Sequence, residues 1–329
     1  MKLKDIIWED IEASDKKVLR IINHKSFQRL KKIWISGFGY LFDLKRNSTR
    51  FEHSIGVWKL LKEFGASEKE CIAGLIHDIS HTAFSHLSTY AIQGKYKGKE
   101  WHELQKEKFM KESGLFELLE ELGFDPYFLI EEKNFPLLEN SLPDICADRI
   151  DYTLRDSLHL QILNFQEVKK VLSGLGIKDK SFVFLNKESA FIYSFAFYLL
   201  NLQHYGSALE AHFNKHFGEI IKIAIEKGIL SDSDWFSDDE KVFLKLKNSG
   251  DKEVLSRIKK YNRKLVVFED FEKPKEIIPK KIRIVDPKVL IDGKLKRLSK
   301  VDEVYSQILS KYKETHKEHK LPVRYFWRS

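Results

Sequence analysis

An ionisable pair at the end of an apolar helical run sets the strictest condition on the fold of this chain. Residues 71–76 carry no charge, and His77 and Asp78 follow them directly. Burying an imidazole and a carboxylate is costly unless a metal ion or hydrogen bonds compensate for the lost water. The pair is therefore poorly suited to plain packing and well suited to metal ligation.

Helical periodicity accounts for most of the rest of the chain. Apolar residues recur at spacings of three and four, which is typical of amphipathic helices. Ser67 and Glu70 form a capping-box pattern, which predicts a defined start for the helix that leads to the ionisable pair. The long apolar segment 189–229 predicts one helix, or two helices broken near Gly206.

The pattern changes after the polar loop that follows residue 230. Segments 263–270 and 280–292 have the composition of strands, and an earlier strand is predicted at 181–186. We therefore predict a mainly α fold in two domains, with a helical core at 1–230 and a small α+β C-terminal region at 231–329. A chain of 329 residues is long enough to bury a large core.

Composition narrows the class of protein. The 57 lysines and arginines exceed the 49 acids by eight, which suits an anionic ligand or nucleic acid, although an ordinary solvated surface explains the excess equally well. No run approaches the roughly 20 apolar residues of a membrane span, and the N-terminus lacks the pattern of a signal peptide. Cys71 and Cys146 both lie in apolar patterns, so we expect a cytoplasmic protein without membrane association or a disulfide framework.

Histidines are concentrated around the ionisable pair. Of the 12 in the chain, five fall between residues 51 and 102: His53, His77, His81, His86 and His102. Any one of them alone is better explained as an ordinary core histidine, but together with carboxylates they favour a divalent metal site. His77 and His81, four residues apart, share a helix face if the helix extends that far.

A further ligand is expected from a carboxylate-rich helical segment. Its four aspartates are Asp144, Asp148, Asp151 and Asp156. Asp148 and Asp156 share one face with Tyr152 and Arg155. Spacing alone does not separate Asp148 from Asp151, and surface carboxylates paired with the two arginines of the segment are an equally good interpretation.

Five segments in a fixed order resemble the HD-domain metal-dependent phosphohydrolases, in particular the branch that includes the deoxynucleoside triphosphate triphosphohydrolases. An HD pair alone is a weak signal, whereas the full HDxxHxxFSH pattern among these segments is a strong one. The resemblance covers residues 15–215 and implies an HD-domain helical core. The segments are FQRL (27–30), STRFEHSIGV (48–57), AGLIHDISHTAFSH (73–86), WHE (101–103) and ADRIDYTLRDS (147–157).

The resemblance also implies roles for individual residues. The ligands of one divalent metal ion, whether Mn, Fe, Mg, Ni or Zn, would be His53, His77, Asp78 and Asp148. The catalytic groups near the scissile bond would be His81, His86 and His102. The substrate-binding residues would be Arg50, Arg149, Tyr152, Asp156 and Tyr205. This assignment favours Asp148 over Asp151 as the ligand.

The chain departs from that branch at several phosphate- and sugar-contacting positions. Ile35 replaces a glutamine, and Phe197, Ser207 and Ala208 replace an arginine and a histidine–lysine pair. Neutral side chains cannot replace the charge-assisted bonds of arginine and lysine to a triphosphate. His204, His212 and His216 could supply phosphate contacts instead, although an ordinary helix face is the better interpretation of their spacing.

We therefore predict a metal-dependent phosphohydrolase that cleaves a phosphoester or phosphoanhydride of a nucleotide or another small phosphate ester. The alternative is an HD-fold nucleotide-binding or regulatory protein with little turnover. A nuclease or nucleic-acid-binding protein is the less favoured third function. Assembly as a homo-oligomer is expected from the resemblance.

Overall fold

The computed structural model describes residues 1–37, 48–87, 101–262, 264–279, 283–316 and 320–328. Helices make up most of it, as predicted. In the first half they are α1 (Lys16–Asn23), α2 (Lys25–Gln28), α3 (Arg50–Glu63), α4 (Glu68–Ile76), α5 (Trp101–Leu104), α6 (Lys106–Ser113), α7 (Leu115–Glu121), α8 (Pro126–Ile130), α9 (Ala147–His159) and α10 (Phe165–Ser173), with 3₁₀ turns at Arg29–Lys32 and Glu132–Asn134.

The second half contains both helices and strands. Its helices are α11 (Lys187–Leu200), α12 (Ala208–Glu226), α13 (Asp232–Trp235), α14 (Asp239–Lys247), α15 (Lys252–Ile258), α16 (Leu298–Val301) and α17 (Glu303–Thr315). The strands of the whole described chain are β1 (Lys2–Asp5), β2 (Glu9–Glu12), β3 (Leu175–Lys178), β4 (Ser181–Phe184), β5 (Leu265–Glu269), β6 (Glu276–Pro279), β7 (Lys288–Ile291), β8 (Lys294–Arg297) and β9 (Lys320–Trp327).

Helix α3 lies at the centre of the helical core and packs against α4 and α9. Its start is defined by a reciprocal capping box, in which Thr49 accepts from the Glu52 amide and the Glu52 carboxylate accepts from the Thr49 amide. Ile55 and Leu61 of α3 are almost fully buried, as is Ile150 of α9. Burial of such side chains contributes roughly 1.5–3 kcal/mol each, so this packing holds the three helices in place.

The start of α4 was predicted correctly, but only half of its predicted capping box forms. The Ser67 hydroxyl accepts from the Glu70 amide at 3.2 Å. The Glu70 carboxylate instead accepts from the amides of Leu137 and Leu138 at 2.7 and 3.2 Å. Glu70 therefore ties α4 to the segment that precedes α9, and burial raises its pKa.

Helix α4 ends one residue before the ionisable pair. Ile76 is its last residue and His77 is the cap, so the helix does not extend to His81 and the condition for a helix face shared by His77 and His81 is not met. The chain turns after Asp78, and Phe84 and Ser85 have positive φ angles of 59° and 51°. Along this irregular path, His81 Nε2 lies 3.2 Å from Asp78 Oδ1.

The long apolar segment 189–229 forms two helices, which confirms the second of the two alternatives predicted from the sequence. Helix α11 continues into a π-helical turn at Asn201–Tyr205, and the chain then breaks at Gly206. Ser207 caps the following helix by accepting from the Glu210 amide at 3.2 Å. A π-turn changes the direction in which side chains project, and such turns are frequent at functional sites.

The strands form three small sheets. Their orders are β1-β2, β3-β4-β7-β8 and β5-β9-β6. All pairings are antiparallel except β4 with β7, where Phe184 lies opposite Val289. The strand predicted at 181–186 is thus present, whereas the β1-β2 hairpin and β3 lie in the part predicted as a helical core. The fold is mainly α, but that part is not entirely helical.

Packing extends across residue 230. The sheet that contains β4 also contains β7 and β8 from the C-terminal region. Val289, Leu298 and Tyr305 belong to the same apolar cluster as the helices around α3. The division into 1–230 and 231–329 stays a prediction. Within the described ranges, no helix combines the length and the apolar character that spanning a bilayer requires.

Candidate active site

A cavity of about 720 Å³ opens where α3, the end of α4, α9 and the π-turn meet the C-terminal region. It brings together most of the residues predicted from the sequence. Those that line it are Arg50, His53, His77, Asp78, His81, His86, His102, Asp148, Tyr152, Asp156 and Tyr205.

Four of these side chains converge at one end of the cavity. The Nε2 atoms of His53 and His77 lie 3.2 Å apart. Asp148 Oδ1 lies 2.9 Å from the first and 3.4 Å from the second. Asp78 Oδ1 lies 3.4 Å from His77 Nε2, and Asp78 Oδ2 lies 3.8 Å from His53 Nε2. Two imidazole nitrogens and two carboxylates therefore face a common centre.

The outer nitrogens of both imidazoles are occupied. His77 Nδ1 lies 2.7 Å from the carbonyl of Gly74, which can only accept, so Nδ1 carries the proton. His53 Nδ1 lies 2.8 Å from Asp151 Oδ1, whose pKa is held low by Arg155 and His53 despite burial. In the neutral state both Nε2 lone pairs therefore point at the common centre.

This donor set fits a divalent metal ion. Two facing lone pairs beside two carboxylates repel one another unless a cation or a proton lies among them. Mixed imidazole and carboxylate ligands suit Mn²⁺, Fe²⁺ or Zn²⁺. His53, His77, Asp78 and Asp148 would hold the ion, as the resemblance implied.

The pKa values at the centre reflect the same crowding. Burial lowers the pKa of His53, but its hydrogen bonds with Asp148 and Asp151 outweigh burial and raise it to about 10. Burial raises the pKa of Asp148 and Asp78, yet the neighbouring histidines and, for Asp78, the Arg50 guanidinium lower both well below the usual range. The surplus negative charge that makes His53 basic is the charge that a bound cation would neutralise.

Behind the centre, a chain of buried ion pairs positions His53. Arg155 donates from Nε and Nη2 to the two oxygens of Asp151, each at 2.9 Å, and from Nη1 to Asp5 Oδ2 at 2.8 Å. Gly56 of α3 makes room for it, because a Cβ there would lie 2.0 Å from Asp151 Oδ2 and 2.3 Å from Arg155 Nη2. Carboxylates that orient a ligating histidine in this way strengthen metal binding.

Three further histidines form the neighbouring wall. The rings of His81 and His102 stack with centroids 3.8 Å apart, and His81 and His86 meet edge to face at 5.2 Å. His81 Nε2 lies 3.2 Å from Asp78 Oδ1. Burial and the nearby Arg50 guanidinium lower the pKa of His81 well below its usual value, so its ring is neutral at neutral pH. Neutral imidazoles can accept or relay a proton.

Arg50 connects the metal-ligand end with this histidine wall. It donates from Nη1 to Asp78 Oδ2 at 2.7 Å and from Nε to the Ser85 hydroxyl at 3.1 Å. Its Nη2 lies 3.2 Å from His86 Nε2. Arg50 is thus a buried cation that bonds to Asp78 and also faces the cavity.

Another part of the cavity lining is aromatic. The Tyr152 ring lies 6.4 Å from the His53 ring and meets the Tyr205 ring edge to face at 5.6 Å. The Tyr205 hydroxyl donates to Asp156 Oδ2 at 2.7 Å. Tyr205 comes from the π-turn, so that turn places an aromatic side chain over the helix that carries Asp148.

Arg149 is the one predicted site residue that does not line the cavity. Its Nη1 donates to the carbonyls of Asn140 and Asp144 and to Cys146 Sγ, and its Nη2 donates to Glu139 at 3.2 Å. These contacts secure the segment before α9. Substrate binding by Arg149 stays an untested prediction.

The positions at which the chain departs from the resembled branch carry apolar side chains or a helix cap. Ile35 lines the cavity, whereas Phe197 is buried in the main core. Ser207 caps α12, and Ala208 packs in a small apolar cluster. Of the alternative histidines, His204 lines the cavity. His212 and His216 lie elsewhere, within 2.9 and 3.0 Å of Glu276 on β6.

Several charged residues that line the cavity were not predicted to be site residues. They are Glu103, Lys106, Glu132, Glu139, Glu210 and Arg283. Glu103 lies in the WHE segment that carries the resemblance and Lys106 follows it closely, but neither was assigned a role. Arg283 comes from the C-terminal region, and no periodicity connects it with the histidines.

Known proteins share both the domain and the fold. Residues 50–156 match the HD domain family. The uncharacterized protein YdhJ of Bacillus subtilis is 30% identical over 304 residues, which are 92% of this chain and 93% of YdhJ. The crystal structure of a phosphohydrolase from Bacteroides thetaiotaomicron covers 100% of both chains with a TM-score of 0.70 at 18% identity, which is a likeness of fold.

Two further relatives have named activities and match part of the chain. The metal-dependent phosphohydrolase cns2 of Cordyceps militaris is 33% identical over 173 residues, 53% of this chain and 50% of cns2. The deoxynucleoside triphosphate triphosphohydrolase SAMHD1 of Bos taurus is 28% identical over 205 residues, 47% of this chain and 35% of SAMHD1. The chain thus spans half or less of each. Since the YdhJ match extends along nearly the whole sequence, and the relatives with a named activity are phosphohydrolases, this chain belongs to the HD-domain family of metal-dependent phosphohydrolases.

Proposed function

We propose that the substrate is a nucleotide or another small phosphate ester, cleaved at one divalent metal ion held by His53, His77, Asp78 and Asp148. The observation that carries the proposal is the close approach of the His53 and His77 rings. Their Nε2 atoms lie 3.2 Å apart, and the Nδ1 atom of each ring faces a hydrogen-bond acceptor. A bound divalent ion would acidify a water molecule and neutralise phosphate charge. The cavity beside these residues has room for a small ligand.

The chain's own residues would divide the remaining tasks. His81, His86 and His102 lie on the wall next to Asp78 and are the groups that we assign to proton transfer and to contact with the scissile bond. Arg50 faces the cavity while bonded to Asp78, so a phosphate there would meet a cation that is already oriented. Asp156, Tyr152 and Tyr205 would form the wall for the rest of the substrate.

A nucleotide is the leading substrate class for two reasons. The edge-to-face rings of Tyr152 and Tyr205 offer an apolar surface beside the carboxylate of Asp156, which suits a base or a sugar. SAMHD1, a similar protein, is named as acting on deoxynucleoside triphosphates. Ile35 on the cavity wall cannot form the hydrogen bonds available to the glutamine that the resembled branch carries near the sugar, so we expect this chain to select the sugar differently.

The direct test compares wild type with His77→Ala and Asp148→Ala. Metal content is measured by elemental analysis after purification. Hydrolysis is measured on nucleoside mono-, di- and triphosphates, an aryl phosphate and a phosphodiester with Mn²⁺, Mg²⁺, Fe²⁺, Ni²⁺ or Co²⁺ added. We expect about one metal ion per wild-type chain and hydrolysis of at least one ester. Both variants should lose the metal and the activity, while His216→Gln, which lies outside the cavity, keeps them.

The alternative is a nucleotide-binding or regulatory protein that holds the metal with little turnover. Ile35, an apolar residue on the cavity wall, favours this alternative. Metal and nucleotide binding without hydrolysis of any ester in the panel would establish it. A nuclease is the less favoured third function, and hydrolysis of the phosphodiester alone would support it. Assembly into a homo-oligomer also stays a prediction, which sedimentation would test.

A further inference from the structure

Lys106 is a buried cation that the proposed chemistry does not use. It is the first residue of α6, is only 8% exposed and lines the cavity. Within the described ranges it makes no hydrogen bond or ion pair. A largely buried charge without a bonded partner is costly, so a ligand that bonds to it would recover part of that cost.

The groups around Lys106 are carboxylates that influence it without bonding to it. Burial lowers the pKa of Lys106, and the charges of Glu132, Asp78 and Glu103 oppose that effect. Asp78 is already bonded to Arg50. The ammonium group of Lys106 thus keeps all three of its donors available to the cavity.

Arg283 is a second cation that lines the cavity and that the proposed chemistry does not use. It lies between β6 and β7 in the C-terminal region and lines the same cavity. In the part of the chain that the structure describes, it likewise has no hydrogen bond or ion pair. It acts electrostatically on Tyr152 and Glu210, which places it towards the aromatic wall.

The charge of the cavity limits the anion that it can accept. Its described lining contains seven carboxylates and three lysine or arginine cations, a formal excess of four negative charges if every carboxylate is charged and every histidine is neutral. Burial raises the pKa of Glu139 to about 7 and also raises that of Glu210, so the excess is smaller than four at neutral pH. One divalent ion would leave an excess of at most two. A triphosphate, with close to four negative charges, would then be repelled more strongly than a phosphate monoester with about two.

We propose that Lys106 and Arg283 bind the phosphate of the substrate and that this cavity selects phosphate monoesters over triphosphates. The proposal rests on the proposed function, because it concerns the same cavity and narrows the substrate class. Arginine and lysine donors form strong charge-assisted bonds to phosphate oxygens. The carboxylates that remain on the wall would accept from hydroxyl or amino groups in the rest of the ester.

Calorimetric titration with inorganic phosphate and with tripolyphosphate tests both parts of the proposal. The full chain is titrated in the presence of Mg²⁺. We expect wild type to bind phosphate at least as tightly as tripolyphosphate. Lys106→Met and Arg283→Gln should each weaken phosphate binding at least tenfold, while Lys106→Arg stays within about threefold of wild type. Unchanged phosphate binding in both neutral variants, or tripolyphosphate binding tenfold tighter than phosphate, would overturn the proposal.

Matched variants exclude indirect effects. Lys111→Met removes an exposed lysine from the same helix, and Arg324→Gln removes a partly exposed arginine of the C-terminal region. Both should bind phosphate like wild type. Circular dichroism checks that each variant is folded, and Lys106→Gln replaces Lys106→Met if the latter does not fold. A Mn²⁺ titration should give an affinity no weaker than wild type for Lys106→Met, because Lys106 is not a metal ligand and the substitution removes a nearby positive charge that repels the ion.

The two proposals can fail separately. If no ester is hydrolysed by wild type but the neutral variants lose phosphate binding, the proposed function is wrong and the phosphate site stands. If esters are hydrolysed and the neutral variants bind phosphate like wild type, the function stands and this inference is wrong.

Discussion

His53 shows how a single ring joins the metal-ligand residues to their support. Its Nε2 faces Asp148 and its Nδ1 faces Asp151, at 2.9 and 2.8 Å. These two aspartates are three residues apart on α9, so both project towards α3. The orientation of the His53 ring decides which aspartate lies beside Nε2, where the proposed metal ion would bind. Sequence spacing contains no information about that orientation.

The sequence therefore predicted which residues converge on the cavity, while their roles stay predictions. Histidine density and the resemblance indicated the residues that converge on the cavity, because those residues carry the motif. Arg149 and Arg155 could not be separated by pattern, yet one secures the loop before α9 and the other supports Asp151. Lys106 and Arg283 carry no motif and were not found.

Replacing Asp151 should weaken metal binding without removing a ligand. In Asp151→Asn, His53 loses the anionic acceptor that keeps its Nδ1 protonated, and removal of such partners typically costs 10–100-fold in metal affinity. We expect a loss of that size in a Mn²⁺ titration. Asp179→Asn, at an exposed turn with a φ of 51° that asparagine tolerates, is the control and should bind Mn²⁺ like wild type. Equal affinities in the two variants would contradict the supporting role.

At the scale of elements, the close approach of α3 to α9 depends on the absence of a side chain. Gly56→Ala would place a Cβ 2.0 Å from Asp151 Oδ2, and the ion pairs that hold this carboxylate leave it little freedom to move. We expect a loss of about 1–3 kcal/mol in the free energy of unfolding, measured by urea denaturation, together with weaker Mn²⁺ binding.

Gly74→Ala is the matched comparison for Gly56. Its Cβ would lie 2.4 Å from Leu61 Cδ1, the end of a side chain that can change rotamer. Its loss of stability should be smaller than that of Gly56→Ala, and its metal affinity should stay close to wild type. The reverse order would show that the α3–α9 contact tolerates an added methyl group.

Asp239 joins α14 to the loops around the site. It is fully buried and accepts from the amides of Trp34 and Phe84 at 3.1 and 2.7 Å. Burial, helped by the charge of Asp238, raises its pKa to about 7 even though the two amides lower it. The folded protein therefore binds this proton more tightly than the unfolded chain does.

This shift predicts a pH dependence of stability. Protonated Asp239 makes its full contribution to the free energy of unfolding below about pH 4. This contribution is lost as pH rises to about 7, and the loss amounts to up to about 4 kcal/mol. Asparagine does not titrate in this range. The unfolding free energy of wild type minus that of Asp239→Asn should therefore fall between pH 4 and pH 7 and be level above it, as measured by denaturation at each pH. A difference independent of pH would contradict the raised pKa.

Helix existence was predicted well at this scale, whereas helix ends and short strands were not. Apolar periodicity gave α4 and the two helices around Gly206, because buried faces repeat with the helical period. The end of α4 at Ile76 was missed because the apolar pattern continues to Ile79 although the backbone turns. Residues 4–11 were predicted to be helical because Ile7 and Ile11 have the helical spacing, but they lie in the β1-β2 hairpin.

At the scale of the whole molecule, helices and C-terminal strands share one core. The sequence showed a change of pattern near residue 230 but could not show pairing between β4 and β7, which are about a hundred residues apart. Such pairings depend on three-dimensional packing and leave no local signal. A change in pattern along a sequence thus need not mark a boundary in packing.

The shared core predicts a single cooperative unfolding transition. Val289 of β7 and Tyr305 of α17 pack in the same apolar cluster as Ile55, so these C-terminal elements cannot separate without exposing the helical core. Thermal unfolding followed by far-ultraviolet circular dichroism and by tryptophan fluorescence should give coincident curves. Calorimetry should show one peak. Two resolved transitions would instead support separate domains divided near residue 230.

The chain of ion pairs from His53 through Asp151 and Arg155 ends at Asp5, at the last residue of β1. For protein engineering, this makes the N-terminal hairpin part of the support of the proposed metal site, although it lies far from the proposed ligands in the sequence. A library that randomises residues 1–12 and is screened for metal affinity would retain an acidic residue at position 5. A fusion partner that displaces this hairpin would lower activity while every ligand stays in place.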